Sequence, residues 1–130
     1  MIMNETKSIA ISLDWRKNRI RIFKETLYEM GKPEYICLLV NPDTRTIAVK
    51  GTSISDGITH SVNWDALQKE RSYELYSHAF LSRLFNINNS WDEEHSYRIY
   101  GKVNPALQIA EFKIDDAVKI SEEGDLNIAD

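Results

Sequence analysis

Two short segments of this chain occur twice, in the same order. Ser12-Leu13-Asp14-Trp15 is answered by Ser61-Val62-Asn63-Trp64, and Val40-Asn41-Pro42 by Val103-Asn104-Pro105. Between these anchors each half carries a short amphipathic segment, residues 24–30 and 78–85, so the order of elements repeats along with the tetrapeptides. Such self-similarity predicts an internal duplication. The offset between copies is 49 residues at the tryptophans, about 54 at the helices and 63 at the Val-Asn-Pro triplets. Two insertions explain the drift, both in expected loops, where insertions are tolerated.

The first copy reads as two hairpins around a helix. Ile9, Ile11, Leu13 and Trp15 alternate with Ala10, Ser12 and Asp14, the period of a half-buried strand. Arg16-Lys17-Asn18 supplies a turn, with Asn18 able to take positive φ, and Arg19-Ile20-Arg21-Ile22 alternates again. From Phe23 the apolar spacing changes to Phe23, Leu27 and Met30, a helical stripe that Gly31-Lys32-Pro33 stops. Two turns of helix are too few to persist alone, so packing must hold them. A second hairpin follows: an apolar run over 35–40, a turn over 41–45 and a strand over 46–50.

In the second copy the same reading expects a strand over 59–64, a polar loop over 65–71 and a strand over 73–76. Ser77 caps a helix whose apolar side is Phe80, Leu81 and Leu84, with Asn86 as its stop. The acidic loop Trp91-Asp92-Glu93-Glu94 precedes a last hairpin over 97–103 and 109–114. The units are therefore 8–51 and 58–115, within one domain spanning 1–130, and 116–130 is an acidic tail expected to be disordered. The fold class expected is α+β, mainly β, with two fused ββαββ units around one core.

At 130 residues, 42% hydrophobic and 28% charged, the chain has the balance of a globular domain. It contains no apolar window near the roughly 20 residues of a membrane span, and its first residues lack a signal-peptide layout. A cytoplasmic location is the expectation. The lone cysteine, Cys37, sits in an apolar run and reads as a small core hydrophobe. The net charge of −4 argues mildly against a dedicated nucleic-acid binder, but its distribution does not. Residues 1–50 hold nine Lys/Arg against six Asp/Glu, giving +3, and residues 51–130 hold seven against fourteen, giving −7.

The first copy, in its strand, turn, basic-hydrophobic strand, glycine-stopped helix and hairpin, resembles the swapped-hairpin DNA-binding domains of the AbrB/SpoVT/MazE class. The second copy is a weaker version. Asn18 stands where that class commonly has glycine, and Phe23 where it commonly has proline. The class interlocks two ββαββ units from two subunits into a small barrel, and the resemblance implies that this chain supplies both units itself. It would then be an intrachain pseudo-dimer, as a monomer or within a homodimer. The resemblance also implies that arginines of the turn-and-strand region contact DNA, which points to Arg16, Lys17, Arg19, Arg21 and Lys24.

Alternation alone puts Arg19 and Arg21 on the strand side opposite Ile20 and Ile22, beside the Arg16-Lys17 turn, a surface suited to phosphates. The other account of the same charges is a solvated face that blunts an exposed strand edge. Elsewhere the sequence offers little chemistry. His60, His78 and His95 lack metal-ligand spacing, and His60 alternates with Val62 and Trp64 as a half-buried strand residue would. Asp92, Glu93 and Glu94 are consecutive on a loop, with no fixed separation for acid–base work. Glycine-rich phosphate loops are absent, and Trp15, Trp64 and Trp91 read as core or rim residues. The chain is therefore expected to be no enzyme and to need no cofactor or metal. The functional expectation is a DNA-binding or DNA-associated transcriptional regulatory module. The alternative is an interaction module that has lost DNA contact and meets a protein partner through its acidic second half or an exposed patch near Trp91.

Overall fold

The structure, a computed structural model, describes residues 9–120. Strand β1 (Ala10–Asp14) leads through a 3-10 turn (Trp15–Lys17) to β2 (Arg19–Phe23), α1 (Lys24–Glu29), β3 (Tyr35–Asn41) and β4 (Thr46–Thr52). There follow β5 (His60–Ser61), α2 (Trp64–Leu67), β6 (Ser72–Tyr76), α3 (His78–Ile87), β7 (Ser96–Asn104), β8 (Ile109–Lys113), a second 3-10 turn (Ile114–Asp116) and β9 (Val118–Ile120). The protein is mainly β, and its antiparallel strands form one curled half-barrel sheet. The strand order is β5-β3-β4-β8-β7-β1-β2-β6, with β9 added beside β7.

The turns form where the local chemistry predicts. Asn18 takes φ 53° and its N–H bonds Trp15 O, so the β1–β2 hairpin closes through a left-handed asparagine. Gly31 at φ 95° ends the α1 segment. Both Asn-Pro turns follow one plan: the asparagine side chain accepts backbone N–H groups, and Arg45 or Gln108 takes φ 54° before the next strand. Ser77 caps α3 by accepting the Phe80 N–H at 3.1 Å. The helix runs past Asn86, which is exposed, and ends at Ile87, whose carbonyl accepts a bond from the Arg45 guanidinium at 3.2 Å.

Three expectations are corrected. The strand expected over 59–64 shrinks to the two residues of β5, and Trp64 opens α2 instead of closing a strand. The reason lies in Asn63, whose side chain accepts the Ala66 N–H at 3.1 Å and starts a helical turn. His60, on this short edge strand, is exposed rather than half-buried. Part of the expected tail is ordered: Val118–Ile120 pairs with Ser96–Arg98 as β9. The rest of that tail, 121–130, lies outside the described residues, as do residues 1–8.

The curl brings the two ends of the sheet together. Although β5 and β6 stand at opposite ends of the strand order, Tyr73 Oη on β6 donates to the Ser61 carbonyl on β5 at 2.7 Å. The space inside is filled from β1, β2, β4, β7 and β8 and from both longer helices: Ile11, Ile22, Leu27, Ile47, Leu81, Leu84, Ile99 and Phe112 are fully buried. Cys37 is also buried, next to the core residue Ile36 on β3 but outside that cluster, and burial pushes its thiol pKa up. The α1 helix is pinned by Thr26, whose hydroxyl accepts the Ala10 N–H at 3.0 Å and donates back to the Ala10 carbonyl at 3.4 Å.

Strand β7 serves both halves of the sheet. Its first half pairs with β1 and β9, its second half with β8, and the change falls at Gly101. A Cβ there would lie 2.1 Å from the Glu111 carbonyl oxygen and 2.5 Å from the Phe112 ring, so only glycine lets the strand pass this close. Gly101→Ala is expected to lower stability by about 1–3 kcal/mol, the cost of overpacking a filled site. Urea unfolding followed by tryptophan fluorescence measures it, and an unchanged midpoint would contradict the account.

Candidate functional site

The outer face of the β6-β2-β1-β7 side of the sheet is set by register. Arg21 stands opposite Glu74 on β6 and Ser12 on β1, and Ser12 stands in turn opposite Arg98 on β7. One step along the strands, Arg19 lies opposite Tyr76 and Asp14, and Asp14 opposite Ser96. The burial of β2 alternates, with Ile20 and Ile22 fully inside, so Arg19 and Arg21 do face outward.

The five expected cations do not share one environment. Arg16 and Lys17 are exposed on the turn after β1. Arg19 is drawn into the surface: its guanidinium lies 3.5 Å from Asp14 and 3.9 Å from Glu74, its side chain is only 16% exposed, and its Nε is buried without a partner. It neutralises the nearly buried Asp14 carboxylate. Arg21 is half-buried, and its side chain makes no hydrogen bond or ion pair with another described residue. Lys24 reaches across to donate to the Gln68 carbonyl at 3.3 Å.

Two cations that the sequence did not single out complete this face. Arg98 donates through Nε to Ser12 Oγ at 3.1 Å, and its guanidinium lies 5.0 Å from the centre of the Phe23 ring, a cation–π contact. Arg71, just before β6, joins Arg21, Lys24 and Arg98 around a surface depression of about 350 Å3. The alternation of Arg98 with Tyr97 and Ile99 does mark it as outward-facing. Its place beside Ser12 depends on β7 pairing with β1, which local pattern does not reveal.

The remaining candidates fall into structural roles. Trp15 packs on Phe85 and His78, Trp64 on Tyr28, and Trp91 stacks on Tyr97 at 4.6 Å, half-buried. Of the apolar or acidic patch expected near Trp91, the tryptophan is half-buried while Glu93 and Glu94 beside it are exposed. His78 bonds Asn18 and Ser82, while His60, His78 and His95 are not brought together, and the described residues hold no cluster of metal-ligating groups. Asp92 accepts from His95 at 2.7 Å and from Lys119 at 3.2 Å, tying its loop to β9. The His95 bond, aided by Lys119 and the Glu94 N–H against some desolvation, lowers the Asp92 carboxyl to about 2. That shift is opposite to what a general acid needs.

No family model, no curated protein and no solved structure matches this chain. The site therefore rests on its own geometry.

Two outcomes separate the structural charges from the others. Arg19→Ala leaves the Asp14 carboxylate nearly buried without its cation and is expected to cost about 1–3 kcal/mol, whereas Arg16→Ala changes stability by less than about 0.5 kcal/mol, both read from urea unfolding. The Asp92 pKa is depressed, so its contribution is present above the ordinary carboxylate range and is lost as pH falls through about 2. Carboxyl NMR of the folded protein should place the Asp92 midpoint near 2, and a midpoint near the ordinary value of about 3.9 would mean the contacts with His95 and Lys119 do not persist.

Proposed function

We propose that this chain is a DNA-binding, transcription-regulating module built as a fused pair of ββαββ units. The observation that carries the functional reading is Arg21: a half-buried arginine on the outer face of the sheet, among Lys24, Arg71 and Arg98, with no carboxylate of a described residue engaged on it. A solvated face that merely blunts an edge would pair such charges or hold them in water. Arg16 and Lys17, exposed at the neighbouring turn, extend the positive surface, and the backbone phosphates of a duplex are the ligand that matches a row of cations.

The fused-pair reading is supported by the strand registers. Shifting β1 by 49 residues and β7 back by 63 turns the Ile11–Ile99 pair into His60–Ile36, and Ser12–Arg98 into Ser61–Tyr35, which are the pairs found between β5 and β3. The same 63-residue shift exchanges the two bonds at the β4–β8 seam, Gly51 N–H to Gln108 O and Ile114 N–H to Arg45 O. Contacts also cross between halves. Trp15 packs on α3 and Trp64 on α1, and the Arg45 turn of one half holds the end of α3 in the other. The copies differ where β1–β2 is a tight hairpin but β5 and β6 are separated by α2.

A second reading, an interaction module without DNA contact, is favoured by one feature on the far side of the sheet. An open groove of about 840 Å3 runs past Leu39, Val40, Ala48 and Tyr100, flanked by Lys102 and Lys113, and Leu39 and Tyr100 are about half exposed.

Titration with duplex DNA at several salt concentrations tests the primary reading. Binding should weaken with a log–log slope of about −0.9 per phosphate contacted, and Arg16→Glu with Arg21→Glu should abolish it while Arg19, needed for folding, is left in place. Absence of wild-type binding to varied duplexes at low salt would leave the interaction reading.

A further inference from the structure

We infer that the depression between β2, α1, the approach to β6 and β7 is a phosphoryl-binding pocket, an inference that rests on reading this face as one for phosphates. Four cations from three stretches of the chain, Arg21 with Lys24, Arg71 and Arg98, line it. Glu25 and Glu70 line it as well, yet no ion pair joins either to any of the four cations among the described residues, and the lining keeps a net positive charge. The Arg71 and Arg21 side chains make no hydrogen bond with another described residue, although the Arg71 carbonyl accepts the Lys24 N–H at 3.0 Å. Among the described residues the Lys24 side chain bonds only a neutral carbonyl, and Arg98 uses Nε on Ser12 and leaves both terminal nitrogens without a bond. A fold that gathers four positive groups without engaging the carboxylates at hand leaves an external anion as their natural counter-charge.

The geometry favours a phosphoryl group over a single halide or carboxylate. Arg98 is held in place from two sides, by the Ser12 hydroxyl and by the Phe23 ring, so its forked donors are oriented before a ligand arrives. Arg71 is exposed at the other border and is free to close on the ligand. A space of about 350 Å3 lies at the small end of ligand sites and takes a phosphoryl group with what is attached to it. Among the described residues the repeat forms no second such pocket. By the 53-residue offset that the β2–β6 register gives, Glu74 stands in place of Arg21 and Asn18 in place of Arg71, and by the 63-residue offset Tyr35 stands in place of Arg98.

Two sources present this chemistry, a backbone phosphate of DNA and a free phosphorylated small molecule. The experiment titrates the full chain with pyrophosphate at low ionic strength, followed by amide NMR, beside the same titration with duplex DNA. Saturable shifts at Ser12, Arg21, Lys24 and Arg98, with affinity reduced about tenfold or more in Arg71→Gln, support the pocket. The Arg71 side chain is exposed and its one bond, from the Lys24 N–H, is to its backbone carbonyl, which Arg71→Gln keeps, so that variant stays folded; Arg98→Gln, which also loses the Ser12 bond, is the second variant and should weaken binding at least as much. Shifts that do not saturate, or that spread evenly over surface lysines and arginines, overturn it. If pyrophosphate competes with DNA, the source is the backbone phosphate. Saturable pyrophosphate binding without any DNA binding supports the pocket with a small-molecule source, and it is then the DNA reading that fails.

Discussion

The architecture depends on one strand bending tightly enough to belong to both halves of the sheet. Strand β7 pairs with β1 on its way in and with β8 on its way out, and at Gly101, between those two stretches, a side-chain carbon would overlap the Glu111 carbonyl. Because β7 turns there, a sheet of this many strands can curl around a single core instead of spreading flat, and Phe112 fills the inside of the bend. The rest follows from that curl. The edge strands β5 and β6 come within one hydrogen bond of each other, and Trp15 and Trp64 sit half-buried at the rim.

The same bend determines where charge accumulates. By carrying its first half to β1, strand β7 sets Arg98 in the same row as Arg21, with Ser12 between them, two strand spacings or about 10 Å apart along the backbone. Arg19, one step along, has Asp14 and Glu74 to answer it. Arg98 is engaged by a hydroxyl and an aromatic ring, and the Arg21 side chain, although its residue stands opposite Glu74, forms no ion pair with a described residue. Like charges at such spacing repel by about 1 kcal/mol or less in water and by more where solvent is partly excluded, so the arrangement is mildly unfavourable until an anion enters. The three arginines differ in role because of their neighbours, although their residue type and strand pattern are alike.

Much of the fold was legible in the chain. Alternation marked β1 and β2, the turns at 41–45 and before 109 marked the hairpins that hold β4 and β8, the Phe23-Leu27-Met30 spacing marked the first helix, and Ser77 capped the second as its position required. Local chemistry is sufficient for these because a turn residue or cap acts on atoms a few positions away. Reading failed where two local signals competed: Ser61-Val62-Asn63-Trp64 looks like a strand by analogy with its repeat, but the Asn63 side chain starts a helix there. It also failed at β9, where three residues of an acidic segment are ordered because the free edge of β7 offers them partners.

By itself the sequence determined most of the elements, the turns and the sign of the charge on β2. Those features are set by contacts between residues near one another in the chain or by the periodicity of side chains along one element. Tertiary structure decided which strands became neighbours, and with that which charges were answered and which were left open. Arg98 lies 77 positions from Arg21 in the chain and reached the same surface only because β1 lies between their strands, while Asp14 took Arg19 out of the set of available cations. Pairing between distant strands depends on the closure of a common core, a property of the whole chain that no local window contains.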